Sequence, residues 1–205
     1  MQPFKKHTGI VAPLDRPNVD TDQIIPAQFL KRIEKTGFGQ FLFFSWRSLP
    51  GGAPNPQFEL NDPRYQGAGI LVTGRNFGSG SSREHAVWAL QDYGFKAIIS
   101  SSFADIFHKN CFENGVVTVI LPQEQVNKLI SNAKTIAGYK ATVNLERCVV
   151  SDEQGFSATF RMHEDPQVHE FRRYCILNGL DEIGLTLQHE DKITEYERKH
   201  SIGSR

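Results

Sequence analysis

The chain has 205 residues, 39% hydrophobic, 22% charged and 11% aromatic, with 23 basic against 23 acidic residues; that is enough apolar material for a core and no net field to hold nucleic acid or an anionic membrane. Its three cysteines, Cys111, Cys148 and Cys175, are odd in number, widely spaced and without a C-x-x-C, so the chain encodes neither a disulfide framework nor a complete metal site, as expected of a reducing compartment. No apolar run approaches a bilayer span or a signal core, and a cytoplasmic protein is expected.

Near the start, Asn18-Val19-Asp20-Thr21-Asp22-Gln23-Ile24-Ile25-Pro26-Ala27 sets carboxylates and a hydroxyl before an apolar turn. By itself such a stretch reads as a solvated turn or as part of a site. Residues 37–67 carry five glycines, four prolines and the cluster Phe38, Phe41, Leu42, Phe43, Phe44 and Trp46, which reads as a long loop too apolar for a linker. It is either a lid or partner contact, or it tucks under the core of its own chain.

From Ala68 the pattern is regular: an apolar run Ile70-Leu71-Val72, a glycine-rich turn over 74–80, and a helix over 81–93 whose inner face is Ala86, Ala89, Leu90 and Tyr93. Gly94 ends that helix and the run Ala97-Ile98-Ile99 follows. Ser102 with Asp105 suggests a capping box for a helix through Ile106, Phe107 and Cys111, closed near Asn114-Gly115. A third run covers 116–121, and Pro122 suits the first turn of a helix containing Val126, Leu129 and Ile130. Strands alternating with such helices predict βαβ units and a parallel sheet, an α/β fold. Beyond Ala141, residues 142–145 and 156–160 alternate with period two and predict antiparallel strands flanking a turn at 152–155. A helix over 168–178 stops at Gly179, and the charged tail over 189–205 is expected to fray or to dock on a neighbour. There is no internal repeat, and the whole chain, 1–205, is expected to form one domain.

The densest chemical signal is Gly74-Arg75-Asn76-Phe77-Gly78-Ser79-Gly80-Ser81-Ser82-Arg83-Glu84-His85-Ala86, where a strand hands over to a helix N-terminus. Free N–H groups and the positive end of the helix dipole meet there. Glycines at 74, 78 and 80 let the backbone approach a ligand, and Ser79, Ser81, Ser82 and Arg83 add hydroxyls and a planar cation, which together suit a carboxylate or phosphate. The plainer alternative is a cap by Ser81 with Glu84 three residues on. A Walker loop is absent because no Gly-Lys-Ser/Thr follows, and Arg83 stands where a dinucleotide fingerprint needs its third glycine. His85 is either a hydrogen-bond partner behind the serines or a structural histidine.

Gly80-Ser81-Ser82-Arg83-Glu84-His85-Ala86 together with Asp20-Thr21-Asp22-Gln23-Ile24-Ile25-Pro26-Ala27 resembles the small-subunit family of the 3-isopropylmalate dehydratases, which is similar to the swivel domain of aconitase. Gly74-Arg75-Asn76-Phe77-Gly78, Ser102-Phe103-Ala104-Asp105-Ile106-Phe107 and Gly39-Gln40-Phe41-Leu42-Phe43-Phe44 extend the resemblance over most of the chain. It implies a three-layer β/β/α swivelling domain that closes over a large subunit. That partner would carry a [4Fe–4S] cluster, none being bound by this chain, and the complex would isomerise 2-isopropylmalate and 3-isopropylmalate in leucine biosynthesis. The implied reaction removes water across C2 and C3 and adds it back with the opposite regiochemistry.

By the same resemblance Ser81 is the base, acting as an alkoxide, with an open iron on the partner as Lewis acid for the leaving hydroxyl. Helix-end N–H groups and Arg83 are the donors available to stabilise that anion. Arg83 and Ser82 would bind a substrate carboxylate, beside the backbone of Gly80, and Thr21 with Asp22 would complete the wall. Where aconitase-type sequences place a serine three residues after the Asp of their T-D-H-I-S element, this chain has Ile25; an apolar wall there favours an isopropyl group over a third carboxylate. Related hydro-lyases acting on citraconate, citramalate or homoaconitate, and a non-catalytic anion-binding module, are the alternatives.

Overall fold

The computed structural model describes residues 1–31 and 36–200. Among them the strands are β1 (Lys6–Leu14), β2 (Ile70–Thr73), β3 (Ala97–Ser100), β4 (Val117–Ile120), β5 (Lys140–Asn144), β6 (Val149–Asp152) and β7 (Ser157–Thr159). The helices are α1 (Thr21–Ile24), α2 (Phe44–Arg47), α3 (His85–Tyr93), α4 (Asp105–Glu113), α5 (Gln123–Thr135), α6 (Pro166–Asn178), α7 (Glu182–Leu187) and α8 (Glu190–Lys199). The strands form one sheet in the order β4-β3-β2-β1-β5-β6-β7. β1 to β4 are parallel, and β5 to β7 add to the other side of β1 antiparallel. The α/β class read from the sequence is the one observed.

The strand at the centre is the one that the apolar pattern hides. Gly9 and Pro13 cut the apolar run down to Ile10-Val11-Ala12, yet β1 pairs with β5 over Lys6 to Ile10 and with β2 over Val11 to Leu14. Proline lacks the N–H that a central strand spends on its neighbour. Here the loss is harmless: Val11 N–H donates to Tyr139 O at 3.1 Å on the β5 side, and Pro13, two residues on, faces the same side beyond the end of β5.

Two hydrophobic clusters lie on the two faces. On one, Leu14, Leu71 and Ile98 meet Leu90 of α3, Phe107 of α4 and the aromatics of the 37–67 segment. On the other, Val72, Ile99 and Val119 meet Leu129 of α5 with Val143, Val150 and Phe160 of the antiparallel half. Helices α3 and α4 thus cover one face of the parallel strands, and α5 with the antiparallel half the other. Phe38, Leu42 and Phe43 are wholly buried, each stabilising the fold by about 1.5–3 kcal/mol, so these members of the aromatic cluster belong to the chain's own core. Arg16 fastens the segment from outside: it pairs with both carboxylate oxygens of Glu59 at 2.9 and 2.8 Å, its guanidinium 4.4 Å from the Trp46 ring centroid.

Several local expectations are corrected. Ala104, not Ser102, caps α4, because the Ser102 hydroxyl accepts the Asn76 N–H at 2.9 Å. Pro122 precedes α5 as its cap. α6 begins at Pro166, two residues earlier than expected, because the Asp165 carboxylate accepts the N–H groups of Gln167 and Val168. The two late strands do not flank a single turn: β6 lies between them, and the Asp152 carboxylate closes the turn to β7 by accepting from Gln154 and Phe156 N–H at 2.8 and 2.7 Å. Most of the charged tail forms α8, which buries no side chain; its end, 201–205, lies outside the described residues. No helix among them is long and apolar enough to cross a membrane.

Candidate functional site

β1 and β2 run side by side and parallel, so the loops leaving their carboxyl ends, 15–20 and 74–84, emerge together at the sheet edge where α/β folds place their ligands. Past the last rung, Leu14 with Thr73, the loops keep pairing. Gly78 and Ser79 N–H donate to Val19 O at 2.8 and 3.2 Å, and Thr21 N–H donates to Ser79 O at 2.8 Å. Asp20 starts α1 with a full capping box: its carboxylate accepts Gln23 N–H at 2.7 Å while Gln23 Oε1 accepts Asp20 N–H at 3.0 Å.

That box aims Thr21 inward. Its side chain is buried and its Oγ1 donates to Ser81 O at 3.1 Å while lying 3.4 Å from Ser81 Oγ. A hydroxyl has one proton; with Thr21 donating to the carbonyl, its oxygen is left to accept from the Ser81 hydroxyl. Gly80 makes the approach possible, since its φ is +96° and a Cβ there would lie 3.2 Å from Thr21 Oγ1. Arg83 Nη1 pairs with Asp22 Oδ1. Thr21, Asp22, Gly80, Ser81 and Arg83, read from two stretches 60 residues apart, therefore stand in one place, with Ser81 and Ser82 exposed.

Other expectations fail on geometry. The helix begins at His85 rather than at Ser81, and neither Ser81 nor Glu84 forms a side-chain cap. The left-handed Gly80 and the bond from Thr21 hold 80–84 in a turn ahead of the helix, closed by Arg83 N–H to Ser81 O at 2.8 Å. Ala86 and Val87 N–H are spent on Arg83 O and Glu84 O. The N–H groups of Gly80, Ser81, Ser82, Glu84 and His85 make no hydrogen bond within the described residues, so an anion has backbone donors, drawn from the turn as much as from the helix end. The Glu84 carboxylate accepts from Asn114 Nδ2 at 2.9 Å.

His85 packs its ring on Trp88 and Phe38, with centroids 4.6 and 5.3 Å apart, and makes no hydrogen bond to Ser81 or Ser82 among the described residues. Burial holds its pKa below the ordinary value, with Arg83 pushing the same way against Glu84. Ile25 does not line the site. Its side chain is fully buried in the core cluster under α1, because α1 is a single turn and the chain must plunge inward at once after the exposed Asp22. Nor does Arg83 enter unengaged; the Asp22 carboxylate already occupies part of its donor fork.

Sequence reading overlooked Asn18 and Asn76, whose side chains join at 2.9 Å between the two loops; the signal available was asparagine in two turn segments. It also gave Asp20 no role, although Asp20 with Gln23 three residues later has capping-box spacing. Among the described residues no three His, Cys, Asp or Glu are placed to hold a metal ion. Cys111 and Cys175 are buried on α4 and α6, and Cys148 lies between β5 and β6.

Residues 1–124 match the family model of the aconitase C-terminal domain, and 182–202 match the model of the C-terminal domain of the 3-isopropylmalate dehydratase small subunit. The chain is 55% identical over 199 residues to the 3-isopropylmalate dehydratase small subunit of Brevibacillus brevis, covering 97% of this chain and all of the relative. It is 59% identical over 198 residues to that of Rhodopirellula baltica, covering 96% and 98%. The solved structure of 3-isopropylmalate dehydratase from Methanocaldococcus jannaschii aligns with a TM-score of 0.64 at 21% identity, over 93% of this chain and 99% of that one, and so shares the fold.

Proposed function

The chain belongs to the family of 3-isopropylmalate dehydratase small subunits, and on that premise we propose that it works in the cytoplasm as one swivelling unit, closing its 15–20 and 74–84 loops over a large subunit to interconvert 2-isopropylmalate and 3-isopropylmalate. The three thiols of this chain do not fit an iron–sulfur cluster: two are buried on different helices and the third stands alone on a turn. In this reading the cluster belongs to the large subunit. This chain binds and orients the diacid and moves one proton.

Ser81 is the base. As an alkoxide it takes the carbon-bound proton whose electron pair forms the C2–C3 double bond as hydroxide departs from the neighbouring carbon; in the rehydration that follows, hydroxide adds to the carbon that lost the proton while the serine hydroxyl gives its proton to the carbon that lost the hydroxide. A free serine is far too weak an acid to be ionised unaided. The observation that carries the assignment is the Thr21 hydroxyl, buried and 3.4 Å from Ser81 Oγ. Turned from Ser81 O to Ser81 Oγ, it would donate to the alkoxide, beside the unspent N–H groups of the turn. Arg83 and the Ser82 hydroxyl take a substrate carboxylate. Asp22 holds the guanidinium in place from the other side, since five donors leave a second edge for the ligand.

The test is Ser81→Ala in the complex reconstituted with the large subunit. Turnover falls by about 10²–10⁴-fold, the range of general base catalysis, while KM changes far less. A variant that keeps its kcat but unfolds at lower urea would assign Ser81 to the turn alone.

A further inference from the structure

Four non-glycine residues have positive φ among the described residues, and two of them, Asn18 at 54° and Asn76 at 57°, are bonded to each other. Asn76 Nδ2 donates to Asn18 Oδ1 at 2.9 Å across 58 residues of sequence. The left-handed conformation costs an L-residue roughly 1–2 kcal/mol, least for asparagine, and such residues persist where surrounding bonds over-determine them. Both are so held. Asn18 N–H donates to Arg75 O at 2.9 Å, Asn76 N–H donates to Ser102 Oγ at 2.9 Å, and the Ser79 hydroxyl donates to Asn18 O at 3.4 Å.

An asparagine in a turn ordinarily bonds its own backbone two residues on; here each side chain serves the other loop. The position matters. Asn18 stands two residues before Asp20 and Asn76 two before Gly78, where the loops have left the sheet and are joined by a few backbone bonds, from Asn18, Thr21, Gly78 and Ser79 N–H, around one bridge, Asp20 with Ser79. The Asn18–Asn76 bond adds a side-chain tie to those backbone bonds, and a shift of one loop along the other would carry Thr21 away from Ser81.

We propose that the Asn18–Asn76 pair is a positioning clamp that fixes the register between the two loops and so sets Ser81 against Thr21. The inference rests on the reading of Ser81 as the base, and deepens it. Asn18→Gly and Asn76→Gly test it cleanly, because glycine keeps the left-handed backbone accessible and removes only the tie. In the reconstituted complex either variant should lower kcat about tenfold, as small misplacements of a reacting group do, with KM changed less than about threefold. The double variant should fall no further than either single, the signature of one shared interaction.

In the full chain alone, amide hydrogen exchange at Thr21, Gly78 and Ser79, whose N–H groups bond across the two loops, should accelerate in both variants, while that of β2 should not. Unchanged kcat and unchanged exchange in both single variants overturn the clamp, as does a double variant whose losses multiply. If Ser81→Ala keeps turnover in the same preparation, the base assignment fails separately, and exchange at Thr21, Gly78 and Ser79 still decides whether the pair holds the loop.

Discussion

Gly78→Ala should be among the most damaging single-methyl additions to this chain. Gly78 has φ +81°, and a Cβ there would lie 2.5 Å from Phe107 Cβ and Cδ1 and closer still to Cγ. Phe107 cannot yield: it is 2% exposed, edge-on to Phe77 at 5.3 Å and stacked with Phe103 at 6.4 Å. The backbone strain costs about 1–2 kcal/mol and forced overpacking about 1–3 kcal/mol more, roughly 2–5 kcal/mol together, against total stabilities of about 5–15 kcal/mol. Gly155→Ala is the control, with φ +87° and nothing within 4 Å, so that only the strain remains. Urea unfolding of the full chain measures both. Phe107→Ala should cost less in the Gly78→Ala background than alone, since it removes the Cγ and Cδ1 atoms that the methyl would meet. Equal losses for Gly78→Ala and Gly155→Ala would refute the claim that the ring's approach demands glycine.

The site makes two further predictions and the core one. Arg83→Lys keeps the charge but loses the fork that grips Asp22 and, in the proposed function, a substrate carboxylate as well; KM of the reconstituted complex should rise roughly tenfold, the loss of one charged hydrogen bond, and unchanged kcat and KM would remove Arg83 from the binding set. The chain alone should show neither hydratase activity nor iron–sulfur absorption, both appearing only with the large subunit; turnover by the purified chain alone would sink the two-chain reading. His108 is buried with Nε2 unpartnered, and burial, with Arg172 and His163 adding to it, pushes its pKa down to about 4 from 6.5. The unfolded chain therefore binds the proton first as pH falls, so stability is full above pH 6.5 and declines toward pH 4 by about 3 kcal/mol from this residue. Comparing urea midpoints of wild type and His108→Leu across that range should show a shallower decline in the variant; parallel declines would locate the acid sensitivity elsewhere.

How much was legible in the sequence follows the range of the forces involved. β2, β3 and β4 were readable because strands buried on both faces are short continuous apolar runs between turn signals. β1 was not, because a strand shared by two half-sheets obeys no single period and carries Gly9 and Pro13. The residues of the site were readable as residue types, and the family resemblance set Thr21 and Asp22 in one wall with Ser82 and Arg83, but nothing in the residues themselves said that they meet. Neither the capping box at Asp20 nor the glycines at 78 and 80 says that the two loops lie on neighbouring parallel strands, and it is that adjacency that brings Thr21 to Ser81. Ile25 misled for the same reason: a position three residues after Asp22 faces the site or the core according to how long α1 is, and one turn is short enough to bury it.

The division of β1 between two partners has a consequence for synthesis. Its second half can pair once residues 70–73 have emerged, and β3 and β4 can extend that parallel sheet. Its first half waits for residues 140–144, some 130 positions away. During translation, then, Lys6 to Ile10 is a bare strand edge on an otherwise assembled sheet, open to a second nascent chain. Two lysines and a histidine occupy positions 5–7, and charge on an unpaired edge is what discourages such pairing until β5 arrives.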